Sequence, residues 1–219
     1  MVRMQVASRL LQQLEEESDA FLKSTVTTDE TWVNYFIFES QQSSRKWRHT
    51  SSPKPKRARR SCSEGKVMAT FLWNWQGVIH VDFLTDARTV NAGYYSDLLA
   101  TDMKEKVRSK QKTGRKRVAF LHDNARPHTA KTTMEIEMEP SDTSAVQSQF
   151  GLNLAPSDFY LFGRLKSDLQ GMQFVEDTVI QTVREWICRQ PQAFFKKGIR
   201  MLPECWKKCV DSGGEYVED

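Results

Sequence analysis

Three aspartates, Asp29, Asp123 and Asp158, stand where a carboxylate is either costly or conspicuous. Asp29 and its neighbour Glu30 interrupt a β-branched and aromatic run, Thr25 to Thr28 and then Thr31, Trp32, Val33, Tyr35 and Phe36, and acids in such a strand are expensive to bury without a purpose. Asp123 follows the apolar stretch Val118, Ala119, Phe120, Leu121 and then His122, so it falls at the end of a strand of the kind buried on both faces. Asp158 sits two residues after Pro156, with Leu161, Phe162 and Leu165 at helical spacing beyond it. If these three elements meet at one edge of a sheet, the carboxylates repel one another unless cations lie between them. Two divalent ions about 3.5 to 4 Å apart can activate an attacking hydroxyl and stabilise a leaving oxygen on phosphorus. Oxygen-only ligands suit Mg²⁺ or Mn²⁺. For any single aspartate, a turn or capping role is the commoner explanation.

The elements that must position these acids are legible to different degrees. Ala7, Leu10, Leu11 and Leu14 recur at helical spacing, so the chain opens with an amphipathic helix over residues 1–23. The strand carrying Asp29 follows. Residues 40–66 lose the apolar pattern and read as a long surface loop inserted between the first two strands. Two strand-like runs, 66–73 and 78–84, flank a turn that ends in Gly77 and predict a β-hairpin. A helix over 91–108 has Tyr94, Tyr95, Leu98, Leu99 and Met103 on one side. Pro127 can open a helix running through Ala130 and Thr133. Residues 134–150 carry no assignable pattern, and two closing helices are expected over 178–189 and 194–210.

At 219 residues, with 39% apolar and 27% charged residues, the chain can bury a core and is expected to form one α/β domain over 1–219. No apolar run has the length of a membrane span, so no membrane partner is expected. Cys62, Cys188, Cys205 and Cys209 are too few and too scattered for a disulfide framework and are read as buried free thiols. The net charge of +4 is modest, but the positive charge is clustered. Arg45, Lys46, Arg48, Lys54, Lys56, Arg57, Arg59 and Arg60 surround Trp47 without an intervening acid, a composition that suits a phosphate backbone. Residues 53–60 also fit a nuclear localisation signal, giving the nucleus as the expected compartment. A second cluster, from Lys104 to Arg117, is read as a solvated helix end.

The words around the acids carry a resemblance. Thr28-Asp29-Glu30-Thr31-Trp32-Val33, His122-Asp123-Asn124-Ala125-Arg126-Pro127-His128-Thr129-Ala130 and Leu154-Ala155-Pro156-Ser157-Asp158-Phe159 resemble the three acidic motifs of mariner-type DNA transposases, with the family's spacing of 34 residues between the second and third acids. Trp47-Arg48-His49, Gly65-Lys66-Val67-Met68, Thr89-Val90-Asn91-Ala92 and Tyr94-Tyr95 are similar to the family too. The likeness runs from about residue 5 to the C-terminus and does not include the family's helix-turn-helix domains. It implies a ribonuclease-H-like fold, a central mixed sheet flanked by helices, and a metal-dependent catalytic domain that cleaves DNA at transposon ends and transfers 3′-hydroxyl strands to target DNA.

By the same resemblance Asp29, Asp123 and Asp158 are the catalytic metal ligands, holding two Mg²⁺ or Mn²⁺ ions. Asn124 and His128 are candidates to orient substrate or to support the ligands. The basic loop is a DNA contact and a clamp between two copies of the chain. Glu30 is read as a neighbour of the site rather than a ligand, because adjacent strand residues face opposite sides. The chain departs from the family just before the third acid, reading Gln149-Phe150-Gly151-Leu152-Asn153 where the family has Pro-Tyr-Ser-Pro-Asp. Two other readings stand beside the transposase: a remnant that keeps DNA binding and dimerisation without chemistry, and a ribonuclease-H-type nuclease, since fold alone does not fix substrate.

Overall fold

The β-branched run folds as expected into β1 (Thr25–Asn34), and its acids lie at the middle of the strand. The computed structural model describes residues 2–35, 65–85, 89–100, 118–123, 125–131, 133, 148–150, 154–174 and 176–215. β2 (Lys66–Asn74) and β3 (Gly77–Leu84) form the anticipated hairpin. The Asn74 side chain accepts from the amides of Gln76 and Gly77, and Gly77 takes a φ of 147°, which an L side chain resists. β4 (Ala119–Asp123) is the short buried strand. β5 (Ser148–Phe150) lies where the sequence offered no pattern.

The five strands run in the order β3-β2-β1-β4-β5. The hairpin and β1 are antiparallel, whereas β4 is parallel to both β1 and β5, so the sheet is mixed as expected. Thr27 of β1 stands opposite Leu121 of β4, and continuing that register brings Asp29 level with Asp123.

Helices cover both faces. Two helices, α1 (Val2–Glu17) and α2 (Asp19–Ser24), replace the single leading helix, because Ser18 takes a positive φ of 53° between them. α3 (Ala92–Leu98) is capped by the Asn91 side chain, which accepts from the Tyr94 amide at 2.9 Å. Of the helix expected over 91–108, residues 101–108 lie outside the described residues. The segment after Pro156 is helical but wider than expected: α4 (Ser157–Phe162) is π-helical and passes directly into the α-helix α5 (Gly163–Asp168). α6 (Glu176–Arg189) matches its expected span. The last helix divides into α7 (Gln192–Arg200) and α8 (Leu202–Asp211), with Pro203, which lacks an amide hydrogen, in the first turn of the second piece.

The larger core lies on one face, where Ala7, Phe21, Phe71, Trp73, Leu161, Leu165, Ile199 and Trp206 close over β1 and β2. A smaller core on the opposite face joins Val26, Leu72, Ile79 and Phe120 to Tyr95, Leu98 and Leu99. The tryptophans behave as packing residues: Trp73 and Trp206 are wholly buried, Trp186 nearly so and Trp75 half-buried. The thiols correct one expectation. Cys209 is buried, but Cys205 is only half-buried and Cys188 is exposed on α6; Cys62 lies outside the described residues. Among the described residues no helix is long and apolar enough to cross a membrane.

Candidate active site

β1 places Asp29 on the face of the larger core, opposite Phe71 of β2. Only 6% of Asp29 is exposed. Its Oδ1 accepts from the Glu30 amide at 2.8 Å, and its buried Oδ2 has no hydrogen-bond partner. Burial, then the negative charges of Asp158, Glu30 and Asp123, push its carboxyl well above the usual carboxylate range, and the single amide bond only partly opposes them. The same repulsion shows that acids from β1, β4 and α4 are brought into one electrostatic neighbourhood, as the motif order implied.

The packing of α4 explains how Asp158 arrives there. Phe162 meets the Phe71 ring edge-on at 5.6 Å, and the buried Trp73 indole donates to the Ser157 hydroxyl at 3.0 Å. Both anchors belong to β2, so the residue opposite Asp29 also docks the helix that carries Asp158. On the far side Gly198 of α7 lies under Tyr160 and Trp73, where an added Cβ would come within 2.6 Å of the Tyr160 ring. A larger residue there would lift α4.

Asp123 is held differently. Its Oδ1 accepts from the Ala125 amide at 3.0 Å and lies 2.6 Å from His128 Nδ1. Burial alone would raise the Asp123 carboxyl, but the His128 and Ala125 hydrogen bonds outweigh it and hold the group below its ordinary range. His128 is fully buried, and its Nε2 lies 3.3 Å from Glu30. Burial would lower the imidazole, yet its bonds to Asp123 and Glu30 push it up to about 10. The Tyr95 ring packs on His128 at 4.2 Å, and the His122 ring meets it at a right angle at 5.4 Å.

Pro127 does not open a helix here. Residues 126–130 form a turn, and helical geometry begins at Lys131. The turn lets the His128 side chain double back onto the end of β4, where a helix starting at Pro127 would carry it onward. Thr133 Oγ1, which donates to the Pro127 carbonyl at 2.7 Å, closes the turn.

The expected site residues thus divide into two groups. The structure brings Asp29, Asp123, Asp158 and His128 together. Asn124 lies outside the described residues, as do all eight cations of the first basic cluster and Lys104 to Arg117. The ends of the inserted segment are joined, since the Tyr35 amide donates to the Gly65 carbonyl at 2.9 Å. Glu30 faces away from Asp29 as alternation requires, and it contacts the ring that holds Asp123. Its distance from His128 in sequence hid that link.

The donor set fits hard divalent cations. Asp123 and Asp158 lie near enough to Asp29 to repel its charge, and one buried oxygen of Asp29 lacks a hydrogen-bond partner. Among the described residues no three acids or imidazoles close tightly enough to enclose an ion by themselves.

A mixed sheet with helices on both faces, and acids in the order strand, strand, helix, is the arrangement of a ribonuclease-H-like domain. Residues 37–117 match the family model described as "Transposase (partial DDE domain)". The Mariner Mos1 transposase of Drosophila mauritiana is 31% identical over 202 residues, covering 91% of this chain and 58% of the relative. The human histone-lysine N-methyltransferase SETMAR is 29% identical over 219 residues, covering 99% of this chain and 31% of the relative. The chain therefore spans less than two thirds of either curated relative.

Two solved structures carry the same fold. The Mos1 mariner paired-end complex with Mn has a TM-score of 0.88 at 30% identity, covering 99% of this chain and 63% of that one. The catalytic domain of Mos1 mariner transposase has a TM-score of 0.76 at 29% identity, covering 99% of this chain and 94% of that one. By sequence and fold, this chain is similar to the catalytic domain of mariner-type transposases.

Proposed function

We infer that the chain is the catalytic domain of a metal-dependent DNA transposase, cutting DNA at transposon ends and transferring the resulting 3′-hydroxyl strands to target DNA. Residues 1–219 act as one catalytic unit. The observation that carries this reading is Asp29, buried, repelled by two further aspartates and left with an unpartnered oxygen. Asp29, Asp123 and Asp158 would hold two Mg²⁺ or Mn²⁺ ions, which when bound polarise phosphoryl oxygens and activate the attacking hydroxyl. The chain's own residues orient those ligands. Trp73 and Phe71 fix the α4 helix behind Asp158, the turn at 126–130 fixes Asp123 through His128, and Asn124 follows Asp123 in the motif as a candidate for contact with substrate. The Mos1 complexes with Mn and with paired transposon ends support both the metal and the DNA partner.

Arg45, Lys46, Arg48, Lys54, Lys56, Arg57, Arg59 and Arg60 would bind the DNA backbone and clamp two copies of the chain together, and the same loop would direct the protein to the nucleus. With about six cations on duplex phosphates, the log of the binding constant falls against log salt with a slope near −5.

A second reading is favoured by one observation: a protein named for histone methylation contains a region like this entire chain. The fold therefore persists in a protein named for a different chemistry, as a DNA-binding or dimerisation module could. Supercoiled plasmid separates the two. Incubated with Mg²⁺ or Mn²⁺, the parent chain should nick it, more strongly with Mn²⁺, and Asp123→Asn should not. Equal salt-sensitive DNA binding by both proteins without nicking would leave the binding module as the function.

A further inference from the structure

Consecutive residues of β1 serve opposite faces of the sheet. Asp29 stands against Phe71 on the side of the larger core, whereas Glu30 stands against Thr70, and Thr70 against Asp82. A polar row therefore crosses the second face from β1 to β3. Tyr94 of α3 closes its outer end with a hydrogen bond from its hydroxyl to Asp82. At the inner end lies His128, whose two ring nitrogens reach Glu30 at 3.3 Å and Asp123 at 2.6 Å. The imidazole joins an acid on the hidden face to an acid of the metal site, around the end of β4.

We propose that Glu30 is a positioning residue for the metal site, acting through His128 to fix the orientation of the Asp123 carboxylate. An imidazole held only by Asp123 could swing with it. Held at its far nitrogen by Glu30, and clamped between Tyr95 and His122, the ring becomes a fixed strut. Asp123 Oδ1 is then committed to the strut and to the Ala125 amide, which leaves the other oxygen for a cation. Residues that orient a ligand in this way typically contribute about 10- to 100-fold to metal affinity. The proposal rests on the reading of Asp123 as a ligand.

Two conservative variants separate contact from charge. Glu30→Gln keeps the reach and an acceptor oxygen but removes the charge; Glu30→Asp keeps the charge but withdraws the acceptor from a contact already at 3.3 Å. Mn²⁺ affinity of the full chain, freed of metal and titrated by electron paramagnetic resonance, is the readout, with Asp123→Asn as reference.

The expected result is that Glu30→Gln stays within about threefold of the parent, while Glu30→Asp weakens Mn²⁺ binding about tenfold or more. His128→Gln cuts the same link, so its weakened affinity should not change further when Glu30→Asp is added. That pair decides the matter if Glu30→Asp alone does not fold. The reverse ranking, equal loss in both variants, additive losses in the double variant, or no loss in either while Asp123→Asn loses its ion overturns the strut. If Asp123→Asn binds Mn²⁺ as tightly as the parent, the reading of Asp123 as a ligand fails as well.

Discussion

Asp29 and Glu30 are neighbours on one strand and have opposite fates. Asp29 is pressed among like charges with an oxygen that no protein group satisfies, whereas Glu30 faces a buried imidazole that also serves Asp123. Alternation along the strand makes the separation possible: one face collects anions that repel one another, and the other sets Glu30 against an imidazole. The front of the sheet is left electrostatically incomplete, and the back is built tightly enough to hold it so.

The largest effect expected of the back face is that of His128→Ala. It leaves the half-buried Asp123 and Glu30 on either side of a void, and breaking a largely buried charged contact from one side costs about 3 kcal/mol. Urea unfolding of the chelated chain measures it, and a loss under 1 kcal/mol would mean that the back face is not the rigid half.

The pH dependence sharpens the same contrast. His128 is raised from 6.5 to about 10 in the fold, so its contribution to stability is fully present below pH about 6.5 and is lost as pH rises toward 10. Over that window one more proton is bound folded than unfolded, and stability falls by up to about 1.4 kcal/mol per pH unit. Asp29, raised above its ordinary 3.8, acts with the same sign, its loss of stability beginning as pH rises through that value. Melting the chelated chain from pH 6.5 to 10 should show a steady decline, and a flat profile would refute the internal balance. The smallest effect is at the cap of α3, the helix that carries Tyr94 and Tyr95. Asn91→Ala should lower stability by about 1 kcal/mol, read from the same unfolding curves, with Mn²⁺ affinity unchanged.

Much of this was legible in the sequence. The β-branched run gave β1, Gly77 marked the hairpin, and the apolar stretch ending at Asp123 gave β4, so the order of the acids was readable before their meeting place was known. The elements that escaped lack local signals. β5 is three residues, Ser148–Phe150, too short for any period and placed by its pairing with β4. The turn at Pro127 and the wide π-helical turns of α4 answer to tertiary demands, the first to seat His128 and the second to join Ser157 to Trp73. Glu30 was assigned its correct face from alternation. Its role depends on a partner 98 positions away, a distance over which one sequence carries no pairing information.

The central claim is that Asp29, Asp123 and Asp158 repel one another until divalent cations join them. Melting Asp29→Asn with and without Mn²⁺ tests it most directly. Without the ion, removing a buried charge among like charges should make the variant more stable than the parent, by on the order of 1 kcal/mol, or about 2 to 4 °C. With saturating Mn²⁺ the order should reverse, because only the parent gains from the ion. A variant less stable than the parent without metal, or stabilised by Mn²⁺ as fully as the parent, would contradict the account.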